Sequence, residues 1–132
     1  MKNFEQIEAC VDYAVAQFGR LDVLVNNAGG APHADAAEVS PRFSESIIRL
    51  NLIAPLNFSQ AANRIMQTQE SGGSIINIAS VSTLRPSPGT AAYGAAKAGI
   101  AAFTIITSIE LTKYGVTVNC LAPGAYTRMT AD

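Results

Sequence analysis

Short runs of apolar and β-branched residues alternate with stretches long enough to form helices, and this alternation constrains the fold more than any other feature of the chain. The runs are Leu21-Asp22-Val23-Leu24-Val25-Asn26, Ser74-Ile75-Ile76-Asn77-Ile78-Ala79 and Val116-Thr117-Val118-Asn119-Cys120-Leu121. Each is nearly continuous rather than alternating in polarity, the pattern of a strand in a parallel sheet covered on both faces. Ahead of the first run, Phe4, Ile7, Val11, Val15 and Phe18 recur at helical spacing and Gly19-Arg20 supplies a stop, which predicts a helix over 3–18. Ser40-Pro41 reads as an N-cap followed by proline at the first helical position. It opens a long helix over 41–69 that tolerates Pro55 only as a kink and closes at Ser71-Gly72-Gly73. The proline-bearing segment 80–89 is a loop, a third helix covers 91–112, and Tyr114-Gly115 ends it. The order α-β-α-β-α-β has crossovers long enough for parallel pairing through right-handed connections, with helices on both faces of the sheet.

In sheets of this kind, ligands sit at the carboxyl ends of the strands. Asn26-Asn27-Ala28-Gly29-Gly30, Ser80 and Pro123-Gly124 all follow strand ends, and Tyr93-Gly94-Ala95-Ala96-Lys97 opens the helix after the second strand. These segments therefore share one rim. Lys97 is the only charge between Pro86 and Ile109. Positions i and i+4 of a helix lie on one face, ~6 Å apart along the axis, so Tyr93 and Lys97 can converge on one ligand. A lysine in the first turns opposes the helix macrodipole, which makes it a poor choice for helix stability alone. Its charge does favour a deprotonated phenol beside it, the form that accepts a proton. The alternative for the pair alone is a core tyrosine next to a lysine that snorkels to solvent. Convergence of the polar positions on one rim favours the functional reading.

The composition narrows the partners. With 48% hydrophobic residues and a net charge of −1, the chain is a single globular unit with a sizeable core. No Lys/Arg cluster forms a phosphate-binding stripe, and no uninterrupted apolar run reaches the ~20 residues that cross a bilayer, so neither nucleic acid nor membrane is an expected partner. The start Met1-Lys2-Asn3-Phe4-Glu5 is unlike a secretory signal, which makes the cytoplasm the expected compartment. Cys10 and Cys120 are too few and too far apart for a zinc framework, and they read as thiols buried like small hydrophobes; no metal site is expected. His33, the only histidine, reads as an exposed loop residue.

Together these residues resemble the short-chain dehydrogenase/reductase family over essentially the whole chain. Asn26-Asn27-Ala28-Gly29 is similar to the family's motif after a central strand, Tyr93-x-x-x-Lys97 to its catalytic pair, and Pro123-Gly124 to its cofactor-side turn. Ser80 stands thirteen residues before Tyr93, the family's usual spacing for the catalytic serine, with Ser82 its nearest rival. Asn51 occupies the place of the long-helix asparagine that completes a tetrad. The resemblance implies an NAD(P)-dependent oxidoreductase acting on a small alcohol or ketone. Tyr93 would exchange the proton, Lys97 would assist it and bind the nicotinamide ribose, and Ser80 would hold the substrate oxygen. Asn51 would position a water that relays protons through Lys97, or else serve as a polar core residue bonded to a carbonyl. Asn26, Ala28 and Gly29 would let backbone approach NAD or NADP closely and brace the sheet. Thr127 resembles the threonine that contacts the cofactor amide, although Pro123-Gly124-Ala125-Tyr126-Thr127 is one residue tighter than the commoner spacing. The helices over 41–69 and 91–113 would build a homo-oligomer interface.

The chain also departs from the family. No Gly-x-x-x-Gly-x-Gly stands upstream of Asn26, and Asp132 follows soon after Pro123-Gly124. Residues 1–132 are therefore expected to form a partial NAD(P)-binding Rossmann-like domain. That domain would be a three-layer sandwich whose parallel sheet is cut to about three strands, the N-terminal strands and the last one missing. An exposed apolar edge at Val23 to Val25, marginal stability and weak cofactor binding follow from that expectation. A non-catalytic α/β remnant or interaction module is the alternative. An epimerase or dehydratase on the related extended fold is a further one, which Asn26-Asn27-Ala28-Gly29 disfavours.

Overall fold

The computed structural model describes residues 3–124. Helix α1 (Phe4–Phe18) is followed by strand β1 (Val23–Asn26), then by α2 (Pro41–Ile48), a π-helical turn (Arg49–Ile53) and α3 (Ala54–Met66). Strand β2 (Gly73–Ile78), a 3₁₀ turn (Val81–Thr83), α4 (Ala91–Leu111), a second 3₁₀ turn (Thr112–Tyr114) and β3 (Val116–Leu121) complete the described elements. The strands form one parallel sheet in the order β1-β2-β3, with Asn26 level with Asn77 and Asn77 level with Cys120. This is the expected Rossmann-like α/β architecture.

Local chemistry explains the boundaries. Asn3 caps α1 by accepting the Gln6 N–H, and Ser40 caps α2 by accepting that of Phe43, with Pro41 in the first turn where no intrahelical N–H is needed. The expected kink at Pro55 takes the form of the π turn. Proline has no N–H to offer the Asn51 carbonyl, and the backbone widens so that the Ala54 N–H reaches the Arg49 carbonyl five residues back. The long helix thus ends as three segments, and its interior asparagine falls at the widened turn.

Packing uses one face of the sheet. Leu24, Ile75 and Val118 lie level and, with Val116, Ala62 and Met66, form one apolar cluster; Ile7 and Val11 of α1 pack on Ala61 of α3 in a second. On the opposite face Val23 and Val25 are 52% and 53% exposed, and Leu121 is exposed as well. Among the described residues the sheet is therefore covered on one face, where the sequence suggested helices on both. Strands that advance in one direction, β1 to β2 to β3, place both right-handed crossovers on the same side; covering the other side needs a reversal of strand order. Cys10 and Cys120 also differ from expectation, since both are exposed. Cys10 lies off the Ile7–Val11 stripe, and Cys120 sits near the end of an edge strand. Helix α4 with its 3₁₀ end, Ala91–Tyr114, is long and apolar enough by length and composition to cross a membrane. In this fold it packs on β3 and β2, and Gly99 lets the Leu52 side chain approach so closely that an added Cβ would lie 3.1 Å from it.

A buried polar ladder crosses the sheet beneath the rim. Asn26 Nδ2 donates to Asn77 Oδ1 (2.9 Å) and to Ser59 Oγ (3.1 Å), while Asn77 Nδ2 donates to Thr104 Oγ1 (3.0 Å). Thr104 in turn donates to the Ile100 carbonyl (2.8 Å), so α3, β1, β2 and α4 are joined in one chain of bonds. Asn77→Ala strands the acceptor capacity of Thr104 and opens a small void, and is expected to cost about 2–3 kcal/mol in urea unfolding. A loss below ~0.5 kcal/mol would show that the ladder does not hold the layers together.

Candidate active site

The rim expected from the strand ends exists as an open cleft of about 560 Å³, and Ser80, Tyr93, Lys97, Gly29 and Pro123-Gly124 all line it. Parallel pairing is what gathers them: β1 delivers residues 27–30, β2 delivers Ser80, and β3 delivers Pro123-Gly124 to the same end. The Val81 N–H donates to the Pro123 carbonyl at 3.1 Å, which locks the last two segments together.

Lys97 decides the electrostatics. It is only 3% exposed, and its ammonium donates to the carbonyl of Ile78, at the end of β2, over 2.7 Å. The same nitrogen lies 5.7 Å from the centroid of the Tyr93 ring, within cation–π range. Burial pushes the Lys97 pKa below the ordinary lysine value, and nearby Cys120 acts in the opposite sense. An ammonium has three donors, so after Ile78 two remain for the cleft. Ser80 caps the 3₁₀ turn by accepting the Ser82 N–H at 3.1 Å, which fixes its oxygen and leaves its proton to give. Ser82, the rival serine, donates the capped backbone N–H and also lines the cleft.

Asn51 is fully buried and its side chain is committed. Oδ1 accepts the Gly30 N–H at 2.8 Å, and Nδ2 donates to the carbonyls of Gly30 and Ile47, each at 2.9 Å. The asparagine therefore pins the loop after β1, the polar-core alternative for this residue. Gly29 must lack a side chain: a Cβ there would come within 2.6 Å of Asn51 Oδ1 and 3.1 Å of Lys97 Nζ. Gly30 adopts φ +138°, a conformation that glycine alone takes readily. Asn26 braces the sheet through the ladder, Ala28 is exposed beside it, and Thr127 lies outside the described residues. His33 is exposed, as expected, and stands in the cleft wall. The backbone anchor at Ile78 carried no side-chain signal in the sequence, and neither did the wall formed by Ala31 and Pro32. Among the described residues no His/Cys/Asp/Glu group could hold a metal.

The residue pattern and this geometry agree with what comparison shows. The family model described as short chain dehydrogenase matches residues 1–132. The chain belongs to the short-chain dehydrogenase family. It is 37% identical over 124 residues to 2-dehydro-3-deoxy-D-gluconate 5-dehydrogenase of Escherichia coli, covering 94% of this chain and 49% of that protein. It is 39% identical over 124 residues to D-beta-hydroxybutyrate dehydrogenase of Cupriavidus necator, covering 94% and 48%. Among solved structures, NAD+-bound xylitol dehydrogenase superposes with a TM-score of 0.91 at 30% identity, over 98% of this chain and 50% of that one. This short-chain dehydrogenase sequence thus spans about half the length of the curated relatives it matches.

The depressed Lys97 pKa has a measurable consequence. Between that value and the ordinary lysine value the unfolded chain binds more protons than the folded one, so stability rises as pH is raised through that window. Lys97→Met removes the titrating group. Its urea-unfolding free energy is expected to lack that rise and at neutral pH to equal or exceed that of the unsubstituted protein. Parallel pH profiles for the two proteins up to the ordinary lysine value would contradict the buried ammonium.

Proposed function

We propose that the chain carries the catalytic half of an NAD(P)-dependent oxidoreductase that interconverts a secondary alcohol and a ketone. The observation that supports this most is the buried Lys97, anchored on Ile78 with its ammonium 5.7 Å from the Tyr93 ring, in the cleft that also holds Ser80. The nicotinamide, NAD or NADP, supplies or removes the hydride when bound. Its site fits the residues present: the backbone of Ala28 and Gly29, the two spare donors of Lys97 and the Pro123-Gly124 turn would hold it, and Gly29 without a Cβ keeps the approach open. Thr127 keeps its proposed contact with the cofactor amide.

In the reducing direction the Ser80 hydroxyl donates a hydrogen bond to the carbonyl oxygen, and Tyr93 gives that oxygen a proton as the carbon accepts hydride; oxidation runs the same steps backwards. Lys97 stabilises the negative charge that Tyr93 acquires on losing its proton. The Asn51 carbonyl, which Pro55 cannot serve as an i+4 donor, is the atom best suited to hold a relay water toward Lys97. The relatives' names range from a sugar-acid dehydrogenase to a hydroxybutyrate dehydrogenase and do not select a substrate.

The functional unit is a homo-oligomer built on α4 and the helices over 41–69, in the cytoplasm, with no nucleic acid or membrane partner. Ala95, Ala98 and Ala102 precede Ile105 and Ile109 on one stripe of α4, and the two isoleucines are 64% and 74% exposed. Antiparallel pairing with a second copy would set isoleucines against alanines. Ile105→Lys with Ile109→Lys is expected to reduce the sedimenting mass to that of a smaller assembly; an unchanged mass would refute this interface. For the chemistry, Tyr93→Phe in the cofactor-bound enzyme is expected to lower kcat by ~10²–10⁴ and leave nicotinamide affinity within about twofold. Undiminished turnover would refute Tyr93 as the proton donor.

A further inference from the structure

Behind Tyr93 a second, smaller cavity of about 100 Å³ opens from the reaction cleft. The two share Ala31, Pro32, Gly89, Thr90 and Tyr93 in their walls, so one compound can occupy both. Their chemistry differs. The main cleft carries Lys97, His33, Ser80 and Ser82, whereas the side cavity has no ionisable wall residue except Tyr93 and is lined by Ala34, Ala36, Val39, Phe43, Ile47 and Ala92, among others. Of its few hydroxyl residues, Thr90 spends its proton on the Ser87 carbonyl at 2.6 Å. Ser44 and Tyr93 carry the other hydroxyls, and the rest of the lining side chains are apolar.

Its walls come from separate elements fastened to one another. The Ala34 N–H donates to the Gly89 carbonyl at 3.0 Å, which ties the loop after β1 to the turn before α4. Val39 is half-buried beside it, Phe43 and Ile47 rise from α2, and Ala92 comes from the first turn of α4. Ile47 is buried and lines the cavity. The alanines set the width, since a larger side chain at 34, 36 or 92 would fill the space.

We propose that this side cavity receives an unbranched apolar arm of the carbonyl substrate, about three to four carbons long, and so selects alkyl ketones and their alcohols over polyhydroxylated ones. The length follows from volume: ~150 Å³ of apolar cavity accepts benzene, so two-thirds of that takes a correspondingly shorter chain. A hydroxylated arm would leave its oxygens unpaired against Ala36, Val39 and Ile47. The proposal rests on the carbonyl being held between Ser80 and Tyr93, and it assigns what lies beyond that bond.

The test reads binding rather than turnover. Affinities of acetone, 2-butanone, 2-pentanone, 2-hexanone and 2-octanone for the full chain are measured from shifts of the Ile47 and Ala92 methyl signals in NMR titrations. Each added methylene is expected to tighten binding about fourfold up to an arm of three to four carbons and to add little beyond it. Ala36→Leu, on an exposed turn, is expected to flatten the series while leaving acetone binding unchanged; Ala92→Leu on α4 repeats the test from the opposite wall. A series that does not rise in the unsubstituted protein, absent binding included, overturns the proposal, as does a rise that survives both leucines. A rise that leucine abolishes, in a protein that never transfers hydride, would support the cavity and count against the oxidoreductase reading.

Discussion

A buried ammonium has to be held by something, and in this chain the holder is the carbonyl at the end of β2. The 2.7 Å bond from Lys97 to Ile78 couples the first turns of α4 to the central strand. Desolvating the charge is costly, and that cost is accepted only where geometry and remaining donors have a use. Tyr93, one turn earlier on the same helix, lies against that charge, and Ser80 follows the same strand two residues after the anchoring carbonyl. The positions of all three are therefore consequences of how α4 docks on β2. The buried Asn26–Asn77–Thr104 ladder fixes that docking again two turns further along the same face of α4.

Much of this was legible before the structure. Near-continuous apolar runs at 21–26, 74–79 and 116–121 mark strands because the helix-facing side of a parallel sheet is dry; the first two observed strands differ by a residue or two and the third coincides. The proximity of Tyr93 and Lys97 was legible because positions i and i+4 share a helix face, and Lys97 is the only charge between Pro86 and Ile109. What escaped was carried by backbone or by three-dimensional closure. Pro55 announced a kink, but only the structure shows it as a π turn that places Asn51 under Gly30. The Ile78 carbonyl has no sequence signature at all. Cys10 and Cys120 were misread because thiol composition says nothing of which edge a strand or helix face presents.

The bare sheet face has the same origin. Apolar runs in β1 imply cover on both sides, yet Val23 and Val25 stand half exposed. The chain spans about half the length of the relatives it matches. Site geometry does not suffer from this. Helix α4, which brings Tyr93 and Lys97 to the cleft, packs on β2 and β3, and α2 and α4 both contribute walls to the apolar cavity behind Tyr93. The residues proposed for proton transfer and for substrate selection thus line two adjoining spaces that share Tyr93.

The central claim is that a ketone held by Ser80 and protonated by Tyr93 receives hydride from nicotinamide. Isotope tracing tests it most directly. The enzyme is supplied with NADH or NADPH carrying deuterium on one face of nicotinamide C4, both faces being tried, together with an alkyl ketone, and the product alcohol is examined by mass spectrometry and NMR. One deuterium on the carbinol carbon per cofactor oxidised, from one face only, is the predicted result. Product without deuterium from either face, or cofactor oxidation without alcohol formation, would contradict the account.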